Sequence, residues 1–180
     1  MASTPTTTFA DRTGQEFVIR TAHSDDAGAA LAYIRPLAEE TEFFVIEADE
    51  FPATVDEERD WIQDHVDDPG KILLLAEAHG TISFETGPFR RIAHRGTLGI
   101  AVVKEFRGRG VGTALLQTFL KWAQSSPLIE KVCLDVFATN STAIRLYRKL
   151  GFVEEGHKTK DIKRGPDDYV DTVTMGQFVK

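Results

Sequence analysis

The run "RGRGVG", Arg107 to Gly112, alternates three glycines with two arginines directly ahead of an apolar helical pattern. Gly108, Gly110 and Gly112 remove side chains where a helix starts and leave its first-turn amides bare. Those opening amides have no acceptor within the helix, and together with the helix dipole they form a site for an anion such as a pyrophosphate. Arg107 and Arg109 add charge-assisted donors. The corner from Arg107 through Val111 to Thr113 is therefore expected to hold a phosphorylated ligand. The alternative is a tight strand-to-helix turn with solvated arginines.

Two familiar phosphate loops do not fit. A P-loop needs Lys and then Ser or Thr after its last glycine, whereas Gly112 is followed by Thr113-Ala114. The dinucleotide fingerprint needs a glycine where Thr113 stands.

The longer stretch "VVKEFRGRGVGTALL" resembles the acyl-CoA-binding motif of the GNAT N-acyltransferases: Arg or Gln, two residues, Gly, one residue, Gly or Ala. Arg107, Gly110 and Gly112 meet it. A second stretch, "LDVFATNSTAIRLYRKLGFVEEG", is similar to that family's other signature, with Asn140, then Ala143, then Tyr147 seven residues after the Asn, then Gly151-Phe152. Together the two cover about Leu98 to Gly156, and the N-terminal half matches only in its order of elements.

The resemblance implies an N-acetyltransferase that moves an acetyl group from acetyl-CoA, its cosubstrate, to a primary amine by direct attack in a ternary complex, with no metal. The backbone of Ala101, Val102 and Val103 would pair with the pantetheine amides as an added strand does. The corner amides would take the pyrophosphate, and Asn140 and Tyr147 would face the coenzyme. Those two residues lie two turns apart on one helix face, about 10.5 Å along the axis.

Spacing alone makes Tyr147 a packing residue beside Ala143 and Leu150. The resemblance makes it the general acid, since a phenol of pKa ~10 is protonated at neutral pH yet close enough to a thiol's ~8.5 to give up its proton. Asn140 also reads as a helix cap. For the base, Asp135 stands five residues before Asn140, where some family members carry a Glu. Alternation in "KVCLDVF" sets it opposite Val132, Leu134 and Val136, but a polar outer face explains it equally well. Glu85, ending the third strand, and His94, in the following loop, are the fallback bases. The fourth strand has no Glu, a departure from members that keep their base there.

The segment containing Glu39, Glu40, Glu42, Glu47, Asp49, Glu50, Asp56, Glu57, Glu58 and Asp60 carries Arg59 as its only base. It maps onto the helices that line the acceptor site in this family, so a small cationic amine is the expected acceptor. A solvated acidic face explains the same charges. A protein N-terminal or lysine acetyltransferase, and a non-catalytic acyl-CoA-binding sensor, are the competing readings.

The elements that must position these residues follow from periodicity. "EFVIRTA" is a first strand. Ser24 caps a helix through "DDAGAALAYIRPLAEE" that Pro36 should kink or end. Thr54 and Glu57 form a capping box for a second helix carrying Trp61, Ile62 and His65 at helical spacing. "KILLLAEAHGTISFE" is a hairpin, "TLGIAVV" a fourth strand and "KVCLDVF" a fifth. The helix in "STAIRLYRKL" ends at Gly151 as a left-handed cap, and "FVEEGHK" and "DYVDTVTMGQF" supply the last strands. In the helix after the corner, Val111, Ala114, Leu115, Phe119 and Trp122 recur at core spacing.

The fold expected is α/β of the GNAT type: a mixed, mostly antiparallel sheet of about seven strands flanked by about four helices, splayed between the fourth and fifth strands. Residues 1–15 read as a disordered tail, and 16–180 as a single N-acetyltransferase domain.

At 180 residues and 42% hydrophobic, the chain fills one core. A net charge of −7 argues against nucleic acid as a partner. No apolar run is long enough to span a membrane, and the start lacks a secretory pattern. Cys133 is the single cysteine, so an internal disulfide is excluded and a cytoplasmic location is the default. A homodimer joined through the last strands is compatible with this reading.

Overall fold

The computed structural model describes residues 3–50 and 54–180. In chain order its strands are β1 (Thr7–Ala10), β2 (Glu16–Thr21), β3 (Lys71–Ala76), β4 (Gly80–Thr86), β5 (Arg95–Val102), β6 (Lys131–Phe137), β7 (Val153–Gly165) and β8 (Asp168–Phe178). The helices are α1 (Ala27–Glu40), α2 (Val55–Asp67), α3 (Val111–Ser125) and α4 (Ser141–Lys149). All eight strands form one sheet in the order β1-β2-β3-β4-β5-β6-β8-β7.

Alternation along the strands gives the sheet two apolar faces. Ile72 and Leu74 of β3 join Ile82 and Phe84 of β4 in the larger core, with Leu115, Leu116 and Phe119 of α3 and Ile144 and Tyr147 of α4. Leu73 and Leu75 point the other way, against Ile62 of α2 and Ala27 of α1. The five residues of α3 singled out by spacing are all buried; a large side chain removed from water in this way contributes about 1.5–3 kcal/mol.

Two features control where a ligand can enter. Every pair is antiparallel except β5 with β6, which meet in parallel only at Arg95–Thr97 against Lys131–Cys133. Beyond Thr97 the two strands part, which is the splay expected between the fourth and fifth strands of the sequence reading. The Thr54–Glu57 capping box is present, with Glu57 N donating to Thr54 Oγ1 at 3.2 Å and Thr54 N to Glu57 Oε2 at 3.0 Å. It starts α2 so that its apolar stripe, and with it His65, faces the sheet.

Three expectations are corrected. Residues 7–10 are not tail but an eighth strand: β1 pairs with Glu16–Ile19, and Phe9 stacks on Phe17 at 5.8 Å between ring centroids. Met1 and Ala2 of that expected tail lie outside the described residues. Pro36 does not end α1, which runs on to Glu40 without the Pro36-to-Ala32 hydrogen bond that a proline nitrogen cannot make. Nor does Ser24 cap it: Ser24–Asp26 is a short turn of 3-10 helix, and the Asp26 carboxylate takes the His23 amide at 2.7 Å.

Candidate active site

The glycine corner begins where β5 ends. Gly108 and Gly110 have φ of +72° and +103°, a region that L side chains avoid, which is why glycine stands at both. A methyl group added at Gly108 would meet nothing within 4 Å, so the surface in front of it is an open cradle. Ala114 is the first amide of α3 to find a helical acceptor, Gly110 O at 3.0 Å. The amides of Val111, Gly112 and Thr113 lie ahead of that ladder. The corner thus has the backbone donors and the side-chain-free surface that a diphosphate needs. A methyl at Gly112 would lie 3.5 Å from Val102 and 3.9 Å from Leu146, so this glycine brings the start of α3 close to both β5 and α4.

The two arginines of the corner make contacts within the protein. Arg109 reaches the turn after β1. Its Nε donates to Asp11 Oδ2 at 2.6 Å, and its Nη2 donates to Thr13 Oγ1 at 3.0 Å and Gln15 Oε1 at 2.8 Å. In this arrangement Arg109 fastens the N-terminal hairpin to the corner. Arg12 completes the fastening, with Arg12 N to Arg109 O at 2.9 Å and Nη1 to Gly108 O at 3.0 Å. Arg107 donates Nε to Val102 O at 2.9 Å, bracing the last residue of β5.

Beyond Thr97, the β6-facing edge of β5 carries no strand, which leaves an open edge at Ala101 and Val102. Val103 differs, because its amide is already donated to His79 O at 2.8 Å. On α4, Asn140 is the N-cap, its Oδ1 accepting from Ala143 N at 3.1 Å. Tyr147 is 7% exposed and packs edge-on against Phe152. Desolvation perturbs its hydroxyl, with no hydrogen bond from a described residue acting on it. Burial pushes its pKa up to about 12. The gap to a thiol's ~8.5 is then wider than the unperturbed values suggest.

The acidic candidates separate clearly. Both oxygens of Asp135 are already accepting, Oδ2 from Lys158 Nζ at 2.9 Å and Oδ1 from Thr174 Oγ1 at 2.5 Å. A carboxylate tied in this way to its own sheet is poorly placed to take a substrate's proton. Glu85 is half exposed and lines a cavity of about 540 Å³ with Ser83, Ile92, Arg95, Thr97 and Gly99, at the point where β5 and β6 begin to part. His94 gives its carbonyl to the amides of Glu130 and Lys131 at 2.8 and 3.1 Å, so its backbone holds the loop in place.

Sequence reasoning missed two groups. One is Asp11, whose side chain is 2% exposed. Burial raises its pKa, but hydrogen bonds from Thr13, Gln15 and Arg109 more than offset this and hold it at about 2. The other is His65 of α2, 1% exposed, with Nε2 3.4 Å from Glu85 Oε1. The available signal was a histidine on the buried stripe of an amphipathic helix. In the acidic segment, Glu58 is the buried member, and burial raises its pKa despite the nearby charge of Arg35.

Comparison with known proteins adds independent findings. The acetyltransferase (GNAT) family matches residues 32–152. The L-amino acid N-acetyltransferase AaaT of Escherichia coli (strain K12) is 31% identical over 123 residues, which are 65% of this chain and 74% of that protein. An acetyltransferase of the GNAT family from Streptococcus pneumoniae superposes with a TM-score of 0.86 at 27% identity, covering 90% of this chain and 99% of that one. A GNAT superfamily phosphinothricin acetyltransferase from Sinorhizobium meliloti, solved in complex with acetyl-CoA, shares the fold with a TM-score of 0.75 at 19% identity, over 99% and 89% of the two chains.

Proposed function

The chain belongs to the GNAT acetyltransferase family, and from that premise we propose that it transfers an acetyl group from acetyl-CoA to a small primary amine by direct attack in a ternary complex. The single observation that carries this reading is the bare-amide corner at the start of α3, which follows directly on the open edge of β5. Glu85 lines a cavity farther along the β4–β5 pair.

The amides of Val111, Gly112 and Thr113, with Gly108 and Gly110 clearing the approach, would hold the diphosphate. Ala101 and Val102 would pair with the pantetheine as an added strand, and Asn140 would fix the start of the helix that carries Tyr147. When bound, the coenzyme supplies an activated acetyl group and a thiolate leaving group. Tyr147, with its pKa raised to about 12, holds its proton too firmly for complete transfer to a thiolate; it donates a hydrogen bond from Oη toward the sulfur end of the cleft. An aliphatic amine of pKa ~10 arrives as an ammonium, and Glu85 takes its proton. Asp135 is not assigned that role, because Lys158 and Thr174 occupy both of its oxygens.

The carboxylates of the α1–α2 region favour a cationic acceptor by raising its local concentration. Thiol release measured with acetyl-CoA and a panel of neutral, zwitterionic and cationic amines, repeated across a salt series, tests the proposal. Release with small cationic amines, weakening as salt rises, is the expected result. Equal rates for neutral amines with no salt effect would remove the electrostatic selection, and coenzyme binding without release for any amine would make the protein a sensor.

A further inference from the structure

His65 is buried on α2 against the ring of Trp61, with centroids 4.2 Å apart. Its Nδ1 lies 3.0 Å from the Trp61 carbonyl oxygen. A carbonyl oxygen can only accept, so Nδ1 carries a proton, and in the neutral ring Nε2 is a bare lone pair. That nitrogen is buried without a hydrogen-bond partner, yet Glu85 Oε1 stands 3.4 Å away. Two acceptors facing each other repel until a proton sits between them.

The surroundings restrict what that proton can do. Lys71 of β3 places Nζ 2.6 Å from Asp64 and 3.6 Å from Glu85 Oε2. The charged groups around the imidazole are thus Asp64 on its own helix, Lys71 on β3 and Glu85 on β4. Lys71 is shared between Asp64 and Glu85, so Glu85 has a cation on its Oε2 side and the imidazole on its Oε1 side. Glu85 also joins two environments, since its carboxylate reaches both the cavity and the buried ring.

We propose that His65 is the positioning and proton-holding partner of Glu85. The inference rests on the reading of Glu85 as the group that accepts the ammonium proton. In the first step an N–H bond of the acceptor ammonium breaks and an O–H bond forms on Glu85, freeing the nitrogen lone pair for attack. In the second, that O–H bond breaks and an Nε2–H bond forms on His65, giving an imidazolium beside a carboxylate, with Nδ1–H still held by the Trp61 carbonyl. Glu85 is thereby an anion again while the amine attacks. As the N–C bond forms and the C–S bond breaks, with sulfur leaving as thiolate, Glu85 takes the second N–H proton of the acylated nitrogen. Both protons pass to solvent from Glu85 and His65 after the amide leaves. The step needs no oxidant, reductant or other co-reactant. In this arrangement the buried imidazole keeps the proton from returning to the amine.

The test reads the ring directly. In the full-length protein labelled with 15N-histidine, two-bond proton–nitrogen spectra at neutral pH and above should show His65 as the Nδ1–H tautomer. Glu85→Gln should move the His65 Nε2 resonance, because the new side-chain amide can donate to a lone pair that the carboxylate could not. An Nε2–H tautomer in the wild type, or an Nε2 resonance that Glu85→Gln leaves unmoved, overturns the proposal without reference to turnover. In kinetics, His65→Gln should lower kcat about tenfold and displace the acid limb of the kcat/KM profile, with the acetyl-CoA KM unchanged. If Glu85→Gln turns over normally, the base assignment itself has failed. If Glu85→Gln is inactive while His65→Gln keeps the wild-type pH profile, only the inference about His65 has failed.

Discussion

Asp11 and Arg109, 98 residues apart in sequence, are joined by a hydrogen bond of 2.6 Å that fastens the N-terminal hairpin to the glycine corner. The corner is therefore not a free loop. Its backbone is braced from the β1–β2 turn by Asp11, Thr13 and Gln15 through Arg109, and by Arg12 through the Gly108 carbonyl.

This brace titrates. The folded-state pKa of Asp11, about 2, lies below its ordinary value of 3.8, so its contribution to stability is fully present above about pH 4 and is lost as pH falls toward 2. The difference in unfolding free energy between wild type and Asp11→Asn should stay constant from neutral pH to about pH 4 and shrink below it. A difference independent of pH down to 2 would show that the ionised carboxylate does not matter. The same variant should raise the acetyl-CoA KM several-fold with little change in kcat, since it loosens the site without touching the reacting atoms.

Gly110 holds φ at +103° as the residue that leads into α3. Gly110→Val cannot keep that conformation without strain of about 1–2 kcal/mol, so restoring the cradle on binding should weaken CoA affinity about tenfold. Isothermal titration calorimetry reads this directly. Unchanged affinity would contradict the assignment of the diphosphate to this corner.

The motifs legible in the sequence were the local ones. The left-handed turns at Gly108 and Gly110, the Thr54–Glu57 box, the Gly151 cap and the Asn140 N-cap each depend on a few neighbouring residues, and the structure forms each. The splay could be inferred only from resemblance, since it depends on where two strands stop pairing. What the sequence hid was long-range. "TTFA" is too short for its alternation to announce a strand, and it becomes one because Phe9 finds Phe17 and Asp11 finds Arg109. Nothing local to Arg109 showed that it has a partner 98 residues upstream. His65 read as a core position, and it is one; only the approach of α2 to β4 reveals Glu85 beside it.

Tyr147→Phe should reduce kcat by about a hundredfold while CoA affinity stays within about twofold. Desolvation alone, with no hydrogen bond from a described residue, acts on the hydroxyl, so its removal should leave the melting temperature nearly unchanged. A full wild-type rate would hand its role to water or another donor.

Asp135 and Glu85 should respond in opposite ways. Asp135→Asn breaks a half-exposed pair with Lys158, at a cost below about 1 kcal/mol in stability, and turnover should stay near wild type. Glu85→Gln should keep the fold and lose most of the rate with protonated amines. If the two outcomes were exchanged, Asp135 would be the base and the cavity at Glu85 would have no part in proton transfer.

The central claim, that the bare amides at the start of α3 hold the coenzyme's diphosphate, is tested most directly by titrating CoA into 15N-labelled protein and following each backbone amide. The largest shifts should fall on Gly108, Gly110, Val111, Gly112 and Thr113, and they should be much smaller when pantetheine, which lacks the diphosphate, replaces CoA. Shifts centred elsewhere, with those five amides unmoved, would contradict it.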